Sequence, residues 1–178
     1  MRPLGVAAIA GWAIIVGGSL ALGKIGAGAD AGPAQPMAQS PPLVHGVNFQ
    51  VKSVIDETFC MEANGPIATT AAVQLAQCTG RGEQRWTFTD GANGSSLVVG
   101  KDGMCWDVDH SVGGPRPLEV STCTYRANQG FAVTPAGLIE EVQSGDCLTV
   151  TPQTTSGAIV LDRCENPAVP AQLWRLAL

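Results

Sequence analysis

The sequence predicts an all-β domain built as a closed barrel of three equivalent units with threefold pseudosymmetry. Three observations predict it. The first is a repeat: Cys60, Cys78, Gln84 and Trp86 are followed by Cys105, Cys123, Gln129 and Phe131, and then by Cys147, Cys164, Gln172 and Trp174. The landmarks recur every 41 to 45 residues, and the cysteines of each set lie 17 or 18 positions apart. A period of this size marks a repeat architecture whose units cannot bury their apolar faces alone. The second is alternation. Val73 and Leu75, Leu118 and Val120, and Ile159 and Leu161 lie five and three residues before the second Cys of each set. Apolar residues two apart read as half-buried strands. The third is punctuation. Asn64-Gly65-Pro66, the Gly113–Pro117 run and the Thr134–Gly137 run are turn signals, and no 3.6-residue apolar stripe follows residue 32.

Along the chain, Arg2 precedes an uncharged apolar run from Pro3 to Gly23, then Lys24, then small residues to Ala31. A basic start, an apolar stretch and an A-x-A-like site predict a secretory signal peptide over residues 1–31, cut after Ala29 or Ala31. The 21-residue run is also long enough to span a bilayer, so an uncleaved membrane anchor is the alternative. No Cys occurs before Cys60, which argues against a lipidated cysteine. Either way the domain is expected outside the cytoplasm, secreted or anchored. Residues 32–46, with Pro33, Pro36, Pro41 and Pro42, read as a linker. Residues 47–178 hold the three units.

Within each unit the residue after the first Cys is apolar: Met61, Trp106 or Leu148. Because its counterparts are plain aliphatic residues, Trp106 reads as core. After each Gln comes an aromatic–any–apolar pattern, Trp86 and Phe88, Phe131 and Val133, Trp174 and Leu176, which sends both residues to one face of a strand. Six cysteines allow fifteen pairings. Equivalent units should close equivalent loops, so the repeat selects Cys60–Cys78, Cys105–Cys123 and Cys147–Cys164. There is no C-x-x-C and no Cys–His spacing to suggest zinc.

Beyond residue 30 the chain carries eight basic and fourteen acidic residues, a net charge of −6. This argues against nucleic acid or an anionic membrane surface as partner; a membrane enters only if the N-terminal segment stays uncleaved. Catalysis finds little support: His45 falls in the linker, His110 near a loop, and no G-x-S-x-G is present. The acidic pairs Asp56-Glu57 and Glu140-Glu141 read as solvated residues, and Asp107-Val108-Asp109-His110 as surface charge rather than a cation site. No cofactor and no metal are expected.

The motifs Gln84-Arg85-Trp86, Gln129-Gly130-Phe131 and Gln172-Leu173-Trp174, in register with three Cys pairs, resemble the ricin B-type lectin family and, within it, small secreted mycobacterial lectins. The resemblance covers residues 47–178. It implies a β-trefoil and a glycan ligand of galactose or mannose type. It also implies where a site would lie: an acid two residues after the first Cys, an aromatic two before the second, and an Asn before the Gln. Those types fit the chemistry, since a carboxylate accepts from hydroxyls, an amide fixes orientation and a ring covers the apolar sugar face.

The first unit places Glu62, Ala76 and Glu83 at these positions, and the third Thr149, Asp162 and Ala171. The second places Asp107, Ser121 and Asn128 there: acid and amide without the ring. Tyr125, two residues past Cys123, is the candidate substitute for that ring. The expected carbohydrate site is therefore Asp107, Asn128, Gln129 and Tyr125. Gln84, Gln129 and Gln172 recur whatever surrounds them and read first as structural hydrogen-bonders. The expected function is that of an exported, stand-alone, non-catalytic lectin with one weak site. The alternative is a trefoil that has lost sugar binding and serves as a protein-interaction module of the cell envelope.

Overall fold

The structure is a computed structural model that describes residues 43–64, 70–151 and 157–178. The expected signal peptide or anchor, and the linker as far as residue 42, lie outside the described residues. Among the described residues no helix is long and apolar enough to cross a membrane.

Twelve strands occur among the described residues, four to each unit. The first unit has β1 (Asn48–Ser53), β2 (Phe59–Ala63), β3 (Ala71–Gln77) and β4 (Trp86–Asp90). The second has β5 (Ser96–Val99), β6 (Cys105–Val108), β7 (Arg116–Ser121) and β8 (Phe131–Val133). The third has β9 (Ile139–Glu141), β10 (Cys147–Val150), β11 (Ile159–Asp162) and β12 (Trp174–Ala177). A short 3-10 turn carrying the repeated Gln precedes β4, β8 and β12.

Two layers follow from the pairing. The outer strands of each unit make the barrel, with β12 on β1, β1 on β4, β4 on β5, β5 on β8 and β8 on β9, all antiparallel. The Trp174 N–H donates to the Gly137 carbonyl at 2.9 Å, drawing the start of β12 against the approach to β9. The inner strands make three hairpins, β2–β3, β6–β7 and β10–β11. The hairpins join one another through β3–β7, β7–β11 and a single bridge between Gln74 and Ala158. A threefold ring of hairpins thus caps the barrel.

Each disulfide joins the first Cys, at the start of a hairpin, to the Cys just past its end. Cys60–Cys78, Cys105–Cys123 and Cys147–Cys164 form as the repeat predicts, each with Cα atoms 5.0 Å apart, within the usual range for a disulfide.

The alternating apolar residues supply one shared core. Val73, Leu75, Leu118, Val120, Ile159 and Leu161 are all buried, as are Met61, Trp106 and Leu148. Trp86, Phe88, Phe131, Trp174 and Leu176 are buried too, whereas Val133 is only partly covered and packs on the rim. Trp106 meets Trp86 edge to face at 5.2 Å and Phe131 at 5.4 Å between ring centroids, the arrangement that ring quadrupoles favour.

The symmetry breaks at these rings. Trp86 Nε1 donates to the Met61 carbonyl at 3.1 Å, and Trp174 Nε1 to the Leu148 carbonyl at 3.0 Å. In the second unit the large and small residues are exchanged: Trp106 stands where Met61 and Leu148 stand, and Phe131 replaces the tryptophan. The exchange leaves the buried Trp106 Nε1 without a hydrogen-bond partner among the described residues, which costs about 1–3 kcal/mol for such a group.

The packing leaves little slack at the end of β5. A Cβ added at Gly100 would sit 2.6 Å from Cζ3 of the buried Trp86 ring. Gly100→Ala is therefore expected to destabilise the domain by about 1–3 kcal/mol, the usual cost of overpacking. The check is a urea titration followed by tryptophan fluorescence; an unshifted midpoint would show that the Trp86 ring can move aside.

Candidate functional site

The repeated Gln organises the same local structure three times. In the second unit the buried Gln129 donates through Nε2 to Asp107 Oδ2 at 2.7 Å and to the Thr122 carbonyl at 2.8 Å. Its Oε1 accepts from the Thr124 N–H at 2.7 Å and the Thr124 hydroxyl at 3.2 Å. Gln84 does the same with Glu62, the Gln77 carbonyl and the Thr79 N–H. Gln172 does so with Thr149, the Arg163 carbonyl and the Glu165 N–H. Each Gln ties the acid position of β2, β6 or β10 to the loop after the second Cys. An amide has two donors and two acceptor sites, and Gln129 has committed all four internally.

Asp107 and Asn128 are brought together by this clamp. Asn128 Nδ2 donates to Asp107 Oδ1 at 2.9 Å and to the Val108 carbonyl at 3.1 Å. These two acceptors fix which end of the Asn128 amide points inward, so its Oδ1 faces away. Each Asp107 oxygen accepts one of these amide bonds and keeps further acceptor capacity. Asp107 and Asn128 are both half-buried. The result is a cluster of free acceptors: two carboxylate oxygens and one amide oxygen.

The β6–β7 register adds a residue that the sequence reading missed. Asp107 lies directly opposite Glu119, and Cys105 opposite Ser121, so Glu119 and Ser121 share the face of Asp107. Counting back from the disulfide along an antiparallel hairpin was the available signal. Ser121, at the ring position, leaves this face without an aromatic. Tyr125 is 64% exposed and held at a φ of 58°, a left-handed backbone uncommon for a residue with a side chain. It follows Thr124, whose N–H is held by Gln129, so its backbone belongs to a loop anchored by the clamp. It makes no hydrogen bond or ring contact among the described residues.

The other two units differ. At the amide position of the first, Glu83 is taken up by Lys101 at 2.5 Å, and that hydrogen bond holds the Glu83 carboxyl below its ordinary value. In the third, the acid is replaced by Thr149, whose hydroxyl donates to the Cys147 carbonyl at 3.0 Å. Asp162, at its ring position, is exposed and accepts from the Arg163 N–H.

The run that follows Asp107 is occupied by internal contacts. Asp109 accepts from the Ser111 hydroxyl at 2.6 Å and its N–H at 2.8 Å, and these bonds hold its carboxyl below the ordinary value. Arg116 donates to His110 Nδ1 at 3.0 Å and pairs with Asp146. Because arginine only donates, Nδ1 is the acceptor and Nε2 carries the proton; Nε2 lies 3.5 Å from Glu141 Oε1 and makes no hydrogen bond among the described residues. Glu141 is fully buried and accepts from the Gln143 N–H, the Ser144 N–H and the Ser144 hydroxyl. This network links the second unit to the third.

His45 is also placed by contacts that no spacing signals. Its Nδ1 lies 2.7 Å from Asp90 Oδ1 and its Nε2 3.1 Å from Ser96 Oγ.

A capped barrel of three disulfide-closed units, with an acid–amide cluster on one hairpin, defines the class. The family model described as the ricin-type beta-trefoil lectin domain matches residues 94–177, the stretch that holds the second and third units. No curated protein matches the chain. Among solved structures it is similar to a designed threefold-symmetric protein, ThreeFoil, at 18% identity and a TM-score of 0.66, covering 74% of this chain and 98% of that one. It is similar to the cytolethal distending toxin from Actinobacillus actinomycetemcomitans at 19% identity and a TM-score of 0.59, covering 73% of this chain and 90% of that one. It is also similar to the hemolytic lectin CEL-III at 20% identity and a TM-score of 0.60, covering 75% of this chain but 30% of that one. At such identities the likeness shows the fold, a β-trefoil, and nothing finer.

Proposed function

We propose that the domain is a non-catalytic carbohydrate-binding module, exported from the cytoplasm, with a single weak site in the second unit. One observation carries the reading: Asp107, the outward Oδ1 of Asn128 and Glu119 group several acceptors on one face of the second unit. Such a surface is complementary to a ligand that presents several hydroxyl donors on one side, and a hexose does so. Asp107 is the charged acceptor, Asn128 Oδ1 a second acceptor, and Glu119 a third from the neighbouring strand. Gln129 acts by holding Asp107, and Tyr125 supplies the apolar surface that Ser121 does not. The family match supports sugar binding in general; galactose- and mannose-type hexoses are the first candidates.

The test is a glycan array probed with the oxidised domain, followed by calorimetric titration of the best ligand. Binding in the millimolar range, lost on Asp107→Ala and retained on Glu62→Ala and Thr149→Ala, is the expected outcome. A second reading rests on the small or polar residues Ala76, Ser121 and Asp162 at all three ring positions: a trefoil without sugar binding that docks proteins at the cell envelope. An oxidised, folded domain that binds no glycan would favour it.

A further inference from the structure

His45, Asp90 and Ser96 come from three places: the segment entering β1, the last residue of β4 and the first residue of β5. Asp90 and Ser96 are directly opposite each other in the β4–β5 register, so both side chains leave the sheet on one face. His45 is laid across them, its neighbour Gly46 donating to the Phe88 carbonyl at 2.8 Å. A carboxylate only accepts, so at 2.7 Å from Asp90 Oδ1 the His45 Nδ1 carries the proton. That leaves the Nε2 lone pair facing the Ser96 hydroxyl, 3.1 Å away. The order is nucleophile, base and orienting acid, with the tautomer that base catalysis needs.

We propose that Ser96 is a nucleophile, with His45 as its general base and Asp90 as the group that fixes the imidazole, and that it accepts a small acyl group from an activated carboxylic ester. This reactivity lies apart from the sugar site and does not depend on it. In the step, Ser96 Oγ forms a bond to the ester carbonyl carbon while its proton passes to His45 Nε2. The carbon–oxygen bond to the leaving group then breaks, and the imidazolium returns the proton to the departing oxygen. The products are an acyl-Ser96 ester and an alcohol or phenol, with no redox change and no co-reactant.

Two features bound the reaction. Ser96 is only 6% exposed, so access to it favours a small acyl donor such as an acetyl ester over a long chain. The Asp90 side chain is 94% exposed, and solvent screens the charge of an exposed group. Asp90 therefore orients the ring more than it strengthens it as a base. Slow, single-site acylation is the expected behaviour, rather than rapid turnover.

The test uses the oxidised full chain with p-nitrophenyl acetate, following p-nitrophenolate release and locating the acetyl group by peptide mass mapping. The expected result is one acetyl group on Ser96. Its rate of formation should fall at least about tenfold in His45→Gln, since a positioned base contributes on the order of 100-fold or more, and the Ser96 adduct should vanish in Ser96→Ala. Unchanged tryptophan fluorescence would confirm that the variants fold. Acetyl groups found only on lysines or the N-terminal amine, or a Ser96 adduct formed equally fast in His45→Gln, would overturn the proposal. In that case the three residues serve only to fasten the entry to β1.

Discussion

Reduction of the three disulfides is expected to unfold the domain near physiological temperature. The bridges close loops with sequence separations of 18, 18 and 17 residues. Constraining the unfolded chain by a loop of that size is worth about 3 kcal/mol per bridge. Three such terms, about 9 kcal/mol, are as large as the whole stability of an ordinary domain, about 5–15 kcal/mol. The position of the bridges adds a local effect. Each Cys that follows a hairpin leads into the loop whose N–H groups are gathered by Gln84, Gln129 or Gln172. Losing a bridge frees that loop and uncovers a buried Gln. The measurement is a urea titration with and without a phosphine reductant, followed by tryptophan fluorescence. A reduced domain with an unshifted midpoint would show that the aromatic core alone suffices.

Asp107→Ala is expected to abolish measurable sugar binding while weakening, without unfolding, the domain. Removing a hydrogen bond to a charged group costs about 1.5–3 kcal/mol, which is roughly tenfold to over a hundredfold in affinity. A millimolar site would then drop below detection. The same carboxylate also holds Asn128 and Gln129, so the substitution has a structural cost as well. Asn128 keeps the Val108 carbonyl and Gln129 keeps the Thr122 carbonyl, which limits the loss of stability to about 1–3 kcal/mol, the usual range for a buried polar group left short of a partner. Titration and chemical denaturation of the same preparation separate the two effects. Binding that survives in a folded Asp107→Ala domain would move the site elsewhere.

The fold was legible because its determinants are local and repeat. A Cys pair, a pair of alternating apolar residues and a Gln–x–aromatic motif each specify a hairpin, its closing bridge and the return strand. Repetition then resolves the pairing that six cysteines leave open. Asp107, Asn128 and Gln129 were legible for the same reason: fixed offsets from the Cys and Gln landmarks bring them together, and hydrogen bonds join them. Glu119 was missed because its place depends on register across the hairpin rather than on distance along the chain. The His45 cluster was missed because it is non-local and occurs once. His45 reaches 45 residues to Asp90 and 51 to Ser96, and nothing repeats that contact. The exchange of Trp106 and Phe131 was visible in the sequence, but the orphaned indole N–H it creates emerged only from the packing.

Trp86 belongs to the barrel and Trp106 to the cap, and their rings meet at 5.2 Å with planes inclined at 61°. Two indoles so close and so inclined share their electronic excitation, and the coupling is chiral because the fold that holds them is. The chain therefore carries an intrinsic optical reporter: a pair of opposite bands in circular dichroism that exists only while the two layers touch. Its amplitude follows the docking of cap on barrel, separately from the far-ultraviolet signal of the strands, without any label being introduced.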